Sequence, residues 1–285
     1  MTPTPDPADA GATLTVRRLL VDLKTPLPRH WAGGDAFRTA FFNALSMSFP
    51  VGEQFFIDAV HAGAALLDPQ AKARVAEEVR GFVGQEATHR HIHNLFNQHL
   101  ARQGLVDHWS PRVARRLARL KTYDVRAWLA VTAATEHFTT ILAEHLLQHP
   151  QQLDATEPRL QALWLWHASE ETEHRSTAFD LYRAIGGNEA WRQRLYLVVS
   201  WHFCTDALRQ TLHNLWRDGT WWRPGTWAGA ALFLFGRNGL VPALVAPWRD
   251  YRRADFHPSQ CDSAAAQQWL AGHGAWLAPV RPAAG

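Results

Sequence analysis

Apolar residues recur at intervals of three and four positions along most of the chain, which is the spacing of one face of an α-helix. Phe41, Leu45 and Val60 follow this spacing in the first long segment, and Pro50 predicts a kink or a break inside it. Segments with the alternating pattern of a β-strand are almost absent. The pattern therefore predicts an all-α chain.

Residues that favour helix ends divide this pattern. Asp68 followed by Pro69 suits the start of a helix, the paired glycines Gly186 and Gly187 suit a helix end, and Asn188 suits another start. The predicted helices cover residues 35–67, 68–104, 110–150 with a restart near 124, 158–187, and 188–218.

The composition fits a folded chain, because 47% of the 285 residues are hydrophobic and 19% are charged. We predict a ferritin-like four-helix bundle with additional C-terminal helices. Its parts are a tail and extended lead-in at 1–33, the metal-binding bundle at 34–187, a helical extension that packs on it at 188–262, and a C-terminal tail at 263–285.

Charge and cysteine content exclude several classes of protein. The net charge of +3 is too small for a nucleic-acid partner, and two distant cysteines provide neither a disulfide framework nor a cysteine zinc site. The first 20 residues lack the basic flank and apolar run of a secretory signal. We expect a cytoplasmic protein.

The candidate chemistry begins with two ExxH motifs, Glu86 with His89 and Glu171 with His174. A spacing of three places both side chains of each motif on one face of a helix. A lone glutamate on an apolar helix precedes each motif: Glu53 lies 33 residues before the first and Glu136 lies 35 residues before the second. The order Glu, ExxH, Glu, ExxH is an internal pseudo-repeat.

Two helical hairpins packed together would bring these four carboxylates and two imidazoles to the centre of a bundle, where they form the ligand set of a carboxylate-bridged dinuclear metal site. Four buried carboxylates without cations would repel one another, which argues against a purely structural role. His167 extends the second motif to HxxxExxH as a seventh ligand. His93 and Glu170 are predicted to contact the ligands from a second layer.

Three stretches resemble the bacterial family of predicted metal-dependent hydrolases: QEATHRHIHN at 85–94, WHASEETEHRSTAFDLY at 166–182 and YRRADFHPSQ at 251–260. This resemblance covers most of residues 15–262. The ligand order is also similar to the ferritin-like diiron proteins, and HxxxExxH is similar to arylamine N-oxygenases. The resemblance implies seven metal positions, Glu53, Glu86, His89, Glu136, His167, Glu171 and His174, and it implies no substrate.

The C-terminal third is rich in tryptophan, and two interpretations of segment 221–248 stay open. Its apolar piece 227–235 is too short to span a bilayer before Arg237 and Pro242 interrupt it, so it either packs on the bundle or forms an interfacial surface. The second interpretation would place the protein at the inner membrane and give an apolar substrate access.

Our first functional hypothesis is a non-haem diiron oxidase or oxygenase that activates dioxygen on a small or lipid-like substrate. It implies two divalent ions, iron before manganese, and an external electron donor. The second hypothesis is a dinuclear hydrolase that uses metal-bound hydroxide. The third is a non-catalytic protein that stores iron or keeps a structural metal. The oligomeric state is left open.

Overall fold

The structure, a computed structural model that describes residues 14–280, consists of α-helices with one small sheet. The helices are α1 (Ala36–Ala65), α2 (Pro69–Arg102), α3 (Trp109–Leu120), α4 (Val125–Gln148), α5 (Pro158–His174), α6 (Thr177–Ala184), α7 (Glu189–Asp218), α8 (Pro224–Phe235), α9 (Leu240–Asp250) and α10 (Ala264–Gly272). The strands are β1 (Arg17–Leu19) and β2 (Leu277–Pro279). The predicted all-α class is confirmed.

Two helical hairpins form the centre of the fold, because α1 packs along α2 and α4 packs along α5. α7 lies against α1 and α4, and α3 packs on α1 beside it. The buried apolar side chains form two clusters, one around Trp31, Phe96 and Trp166 and the other around Phe82 and Leu129. The hairpins pass through both clusters, and their polar residues lie between them.

Helix starts are set by the side chains that the sequence indicates. Asp68 accepts hydrogen bonds from the backbone N–H groups of Gln70 and Ala71, both at 2.9 Å. Asn188 accepts from the N–H of Trp191 at 3.2 Å. These contacts satisfy donors that have no partner within the first turn of a helix, and they fix where α2 and α7 begin.

Two predicted helices differ from the observed ones. Pro50 does not break α1, which is continuous from Ala36 to Ala65. The predicted helix 158–187 is interrupted at Arg175 and Ser176, immediately after α5 ends. The reason is the Arg175 guanidinium, which donates to the carbonyl of Thr172 and, at 2.9 Å, to the carbonyl of Pro258.

Within the predicted C-terminal tail at 263–285, the described residues include α10 and β2. β2 pairs antiparallel with β1, with Arg17 opposite Pro279 and Leu19 opposite Leu277. The lead-in at the start of the chain is therefore held by a strand from its end. Residues 1–13 and 281–285 of the predicted tails lie outside the described residues. The division into bundle and extension stays a prediction.

The apolar C-terminal segment forms two short helices rather than one. By length and composition alone, Pro224–Asp250 could cross a membrane. α8 ends at Phe235 and α9 starts at Leu240, so the helix is broken at residues 236–239. Pro242, expected to interrupt the segment, lies instead in the first turn of α9, where no N–H donor is needed.

Candidate metal centre

The seven predicted ligands come together in the space between the two hairpins. α1 contributes Glu53, α2 contributes Glu86 and His89, α4 contributes Glu136, and α5 contributes His167, Glu171 and His174. None of the seven is more than 5% exposed. Four carboxylates and three imidazoles thus share one buried region.

Short distances join the two halves of the pseudo-repeat. His174 Nε2 lies 3.1 Å from Glu86 Oε1, 3.3 Å from Glu136 Oε2 and 3.6 Å from Glu171 Oε1. Glu171 Oε1 also lies 3.4 Å from His89 Nδ1. The second ExxH therefore faces carboxylates from both hairpins.

The donor atoms form overlapping groups whose atoms all lie within 4.8 Å of one another. Glu171 belongs to one group with His89 and His167, and to another with Glu86 and His174. The remaining groups are Glu53 with Glu86 and His89, and Glu53 with His93 and His167. Glu53 and Glu86 are likewise shared by two groups, whereas Glu136 belongs to none of them.

His89 is held from outside the centre by Glu170. Glu170 Oε2 accepts a hydrogen bond from His89 Nε2 at 3.0 Å, so the Nδ1 atom is the one that faces Glu171. Arg17 on β1 donates to the other oxygen of Glu170 at 3.2 Å. Such a carboxylate contact orients a ligating imidazole and makes it a better donor to a cation.

His174 is held in the same way by Gln85. The amide nitrogen of Gln85 donates to Glu173 Oε2 at 2.7 Å and to the carbonyl of Thr15 at 3.0 Å. Its oxygen is therefore the atom that accepts from His174 Nδ1, at 2.9 Å. Arg17 also donates to Glu173, at 2.7 Å, so one residue on β1 supports the partners of both ExxH histidines.

His167 is held by a chain of polar groups that ends at Asn97. The Asn97 amide nitrogen donates to the Ser46 carbonyl at 2.9 Å, which leaves its oxygen to accept from the Ser46 hydroxyl at 2.8 Å. Ser46 Oγ then accepts from His93 Nδ1 at 2.9 Å, and His93 Nε2 accepts from His167 Nδ1 at 3.2 Å. The lone pair of His167 Nε2 points to Glu171, 3.3 Å away.

All three imidazoles consequently direct one N–H group outward and their second ring nitrogen inward. The inward atoms of His89, His167 and His174 are buried without hydrogen-bond partners, as are both oxygens of Glu53, Glu86 and Glu136 and one oxygen of Glu171. Unpaired buried polar atoms are costly, whereas divalent cations are bound by such nitrogen and oxygen donors. The residues present fit a metal centre.

The electrostatics of the centre reflect burial together with crowding of charge. Burial and the charge of Glu86 raise the pKa of Glu53 well above its usual range, and burial with the neighbouring Glu171 and Glu86 raises the pKa of Glu136 to about 8. Burial opposes the charged form of His89, but the hydrogen bond to Glu170 and the nearby Glu171 carboxylate outweigh it and raise its pKa to about 10. Protons therefore compete with cations for these atoms.

A cavity of about 500 Å³ reaches the centre from the surface between α3 and α7. Glu53, His167 and Glu171 lie at its inner end. Its walls are mainly apolar, and among the lining side chains are Phe49, Phe55, Phe56, Val131, Leu195, Val199 and Phe203. Phe49 stacks flat against the His167 ring, with centroids 4.9 Å apart. The cavity gives one side of the centre contact with an apolar molecule.

Several residues of the centre were not predicted from the sequence. Gln85 precedes His89 by four positions and so lies on the same helix face, a signal that could have found it. Glu173, which no sequence motif indicates, accepts hydrogen bonds from Gln85 and Arg17. Arg17 is 153 residues away from Glu170 along the chain, and no local pattern connects the two.

Comparison with known proteins gives one match. The family model described as "Predicted metal-dependent hydrolase" matches residues 15–262, which include every residue of the centre. No curated protein and no solved structure matches the chain.

Proposed function

We propose that this chain, which belongs to the predicted metal-dependent hydrolase family, is a metal-dependent enzyme that hydrolyses an apolar substrate in the cavity beside the centre. The observation that carries the proposal is the convergence of buried, unpaired donor atoms at the inner end of that cavity. The family description favours hydrolysis, our second functional hypothesis, over dioxygen chemistry, our first.

We assign the seven predicted ligands to two divalent ions, with Glu171 shared between them. Support comes from the two donor groups in which Glu171 takes part, from the groups that contain Glu53, and from Glu136 Oε2, which lies 3.3 Å from His174 Nε2. Ions held there would supply Lewis-acid activation of water or, if they are iron, electrons for the reduction of dioxygen. Carboxylates and imidazoles suit both iron and manganese. We choose iron first and manganese second.

The side chains around the ions bind and orient the substrate. Phe55, Val199 and Phe203 provide an apolar wall, while Glu53 and Glu171 confine the polar, reacting group to the inner end. A molecule with an apolar body and one ester or amide group matches this division. Apolar walls also exclude bulk water, so reaction is limited to the end where the metal donors lie.

The test is ester hydrolysis without oxygen. Metal-free protein loaded with Fe(II) or Mn(II) is assayed anaerobically with p-nitrophenyl esters of increasing acyl length. We expect metal-dependent turnover that favours the longer chains and falls to background in Glu171→Gln. The matched control is Glu77→Gln, an exposed glutamate on α2 that forms an ion pair with Arg80. Hydrolysis that is unaffected by chelation or by Glu171→Gln would contradict the proposal.

A second candidate is dioxygen activation by a diiron centre, which needs an external electron donor. One observation favours it: the centre lies inside a helical bundle and is reached through apolar walls, which suits an apolar gas better than water. Oxygen uptake by the Fe(II)-loaded protein, absent with Mn(II), would select this candidate. Metal binding without either reaction would select the non-catalytic hypothesis.

A further inference from the structure

The outer surface of α7, α8 and α9 exposes large apolar side chains. Trp201 on α7 is 69% exposed, Trp222 before α8 is 80% exposed, and Leu232 on α8 is 72% exposed. We call this surface the docking face, and we define it by Leu197, Trp201, Leu208, Trp222, Trp227, Leu232, Phe235, Val241 and Val245. Packing within one domain does not account for exposed apolar groups of this size and number.

The three helices of the docking face are joined to each other. The indole N–H of Trp248 on α9 donates to Ser200 Oγ on α7 at 2.9 Å, and the Tyr196 hydroxyl donates to the Trp248 carbonyl at 3.2 Å. α8 packs on α9. The exposed side chains therefore belong to neighbouring helices rather than to isolated positions.

The charge of segment 219–249 has one sign, although α9 ends at Asp250 and α7 also contains Asp206 and Asp218. From Gly219 to Arg249 the chain has no acidic residue, and its charged residues are Arg223, Arg237 and Arg249. None of these arginines forms an ion pair with a described residue. Apolar side chains with aromatic and arginine residues among them are typical of a protein that rests in the headgroup region of an anionic bilayer.

We propose that the docking face binds the surface of an anionic lipid bilayer. Only 22% of the most apolar 18-residue window in Pro224–Asp250 is buried, whereas the core helix of a soluble protein is mostly buried. At about 1.5 Å per residue, α8 and α9 are each shorter than a hydrocarbon core of about 30 Å, so they lie in the interface and do not span it.

The cavity of the metal centre opens at the edge of the docking face. Val198 on α7 lines the cavity and is also 51% exposed, next to Leu197 of the docking face. A bilayer on this face would meet the mouth of the cavity. This step rests on the proposed function: the substrate would then be a lipid-like molecule that enters from the bilayer.

Vesicle co-sedimentation of the full chain tests the docking face without substrate and without turnover. We expect the protein to sediment with vesicles of phosphatidylcholine and phosphatidylglycerol, less with phosphatidylcholine alone, and less as salt rises. The double variant Leu232→Glu with Phe235→Glu should lose at least tenfold in affinity. Leu20→Glu with Leu66→Glu, which changes two exposed leucines elsewhere, should not.

The charge requirement has its own variants. Replacing Arg223, Arg237 and Arg249 by glutamine should reduce the preference for anionic vesicles, whereas the same change at Arg74, Arg80 and Arg102 on α2 should not. Equal sedimentation of all variants, or none by the wild type, would overturn the proposal. A dimer in light scattering that Leu232→Glu dissociates would assign the face to a second copy instead. Vesicle binding without hydrolysis would refute the proposed function and leave the docking face standing.

Discussion

At the scale of single residues, the centre depends on side chains that never reach its interior. Gln85, Glu170 and His93 each accept the outward N–H of one histidine, and in doing so they select the nitrogen that faces inward. A ligating imidazole whose outer partner is lost can rotate or change its tautomer. Metal affinity is therefore set in part by atoms that do not touch a cation.

Gln85→Leu tests this dependence. The change removes the acceptor of His174 Nδ1 and the donor to Glu173, and we expect the affinity for Mn(II) to fall by about 10- to 100-fold. Calorimetric titration measures it. Gln98→Leu, at an exposed position on the same helix, is the control and should leave the affinity unchanged. Equal affinities in the two variants would show that the Gln85 contact does not orient His174.

A second residue-scale prediction concerns pH and a histidine outside the centre. Burial lowers the pKa of His137 to about 4, although its Nε2 donates to the Pro247 carbonyl. Because an unfolded histidine titrates near 6.5, the unfolded chain binds the extra proton first, and stability contributed by neutral His137 is lost as pH falls from about 6.5 to about 4. The loss should be roughly 3 kcal/mol by pH 4.

Denaturant unfolding of His137→Gln against pH measures this contribution. Glutamine can still donate to the Pro247 carbonyl but does not titrate. The free energy of unfolding of the variant should therefore fall less between pH 7 and pH 4 than that of the wild type. Parallel curves for the two proteins would mean that His137 is not held neutral by the fold.

At the scale of elements, the position of β1 depends on glycines in α2. A Cβ atom on Gly84 would lie 2.4 Å from Val16, and one on Gly81 would lie 2.4 Å from Leu14. Only glycine lets the extended lead-in pass this close to the helix. The lead-in carries Arg17, so this close approach places the guanidinium beside Glu170 and Glu173.

Gly84→Ala should therefore weaken metal binding even though alanine favours a helix. The methyl group displaces Val16, and with it Arg17, so we expect faster proteolytic cleavage of the lead-in and a lower affinity for Mn(II). Gly52→Ala is the matched control on α1, because its Cβ would meet Phe56 at an ordinary 3.6 Å. That variant should gain up to about 1 kcal/mol in unfolding free energy. The prediction is wrong if Gly84→Ala behaves like its control.

The sequence predicts the start and the buried face of a helix where residues close to each other along the chain determine them. Asp68 and Asn188 cap the helices that their positions indicate, and the spacing of Glu86 and His89 places both toward the centre. The interruption after His174 was not predictable, because it depends on contacts of Arg175 with the distant Pro258. The contact of Arg17 with Glu170 was not predictable for the same reason, since the two residues are 153 positions apart. Local periodicity indicates which face of a helix is buried, but not which distant segment covers it.

At the scale of the whole molecule, metal binding and folding are linked. The centre joins four helices from two hairpins, and its carboxylates repel one another when no cation is bound. The thermal midpoint should rise with added Mn(II) or Fe(II). The free energy of unfolding should increase by about 2.7 kcal/mol when free metal is at 100 times its dissociation constant. Scanning calorimetry with and without chelator measures it.

A quadruple glutamine variant at Glu53, Glu86, Glu136 and Glu171 provides the comparison. Neutral amides remove the repulsion but bind divalent ions poorly, so its metal-free form should be more stable than the metal-free wild type and indifferent to added metal. A wild-type thermal midpoint that changes with neither metal nor chelator would contradict metal binding by these carboxylates.

The pairing of β1 with β2 has a consequence for synthesis of the chain. All seven ligands have been made once His174 leaves the ribosome, but β2 follows about a hundred residues later. At about 5–20 residues per second, the ribosome needs roughly 5–20 s to complete that stretch. For this interval the nascent chain has its full set of ligands while the strand with Arg17 still lacks its partner. Metal delivered during translation would meet ligands whose support by Arg17 is not yet secured by β2, and metal delivered afterwards would meet the paired strands.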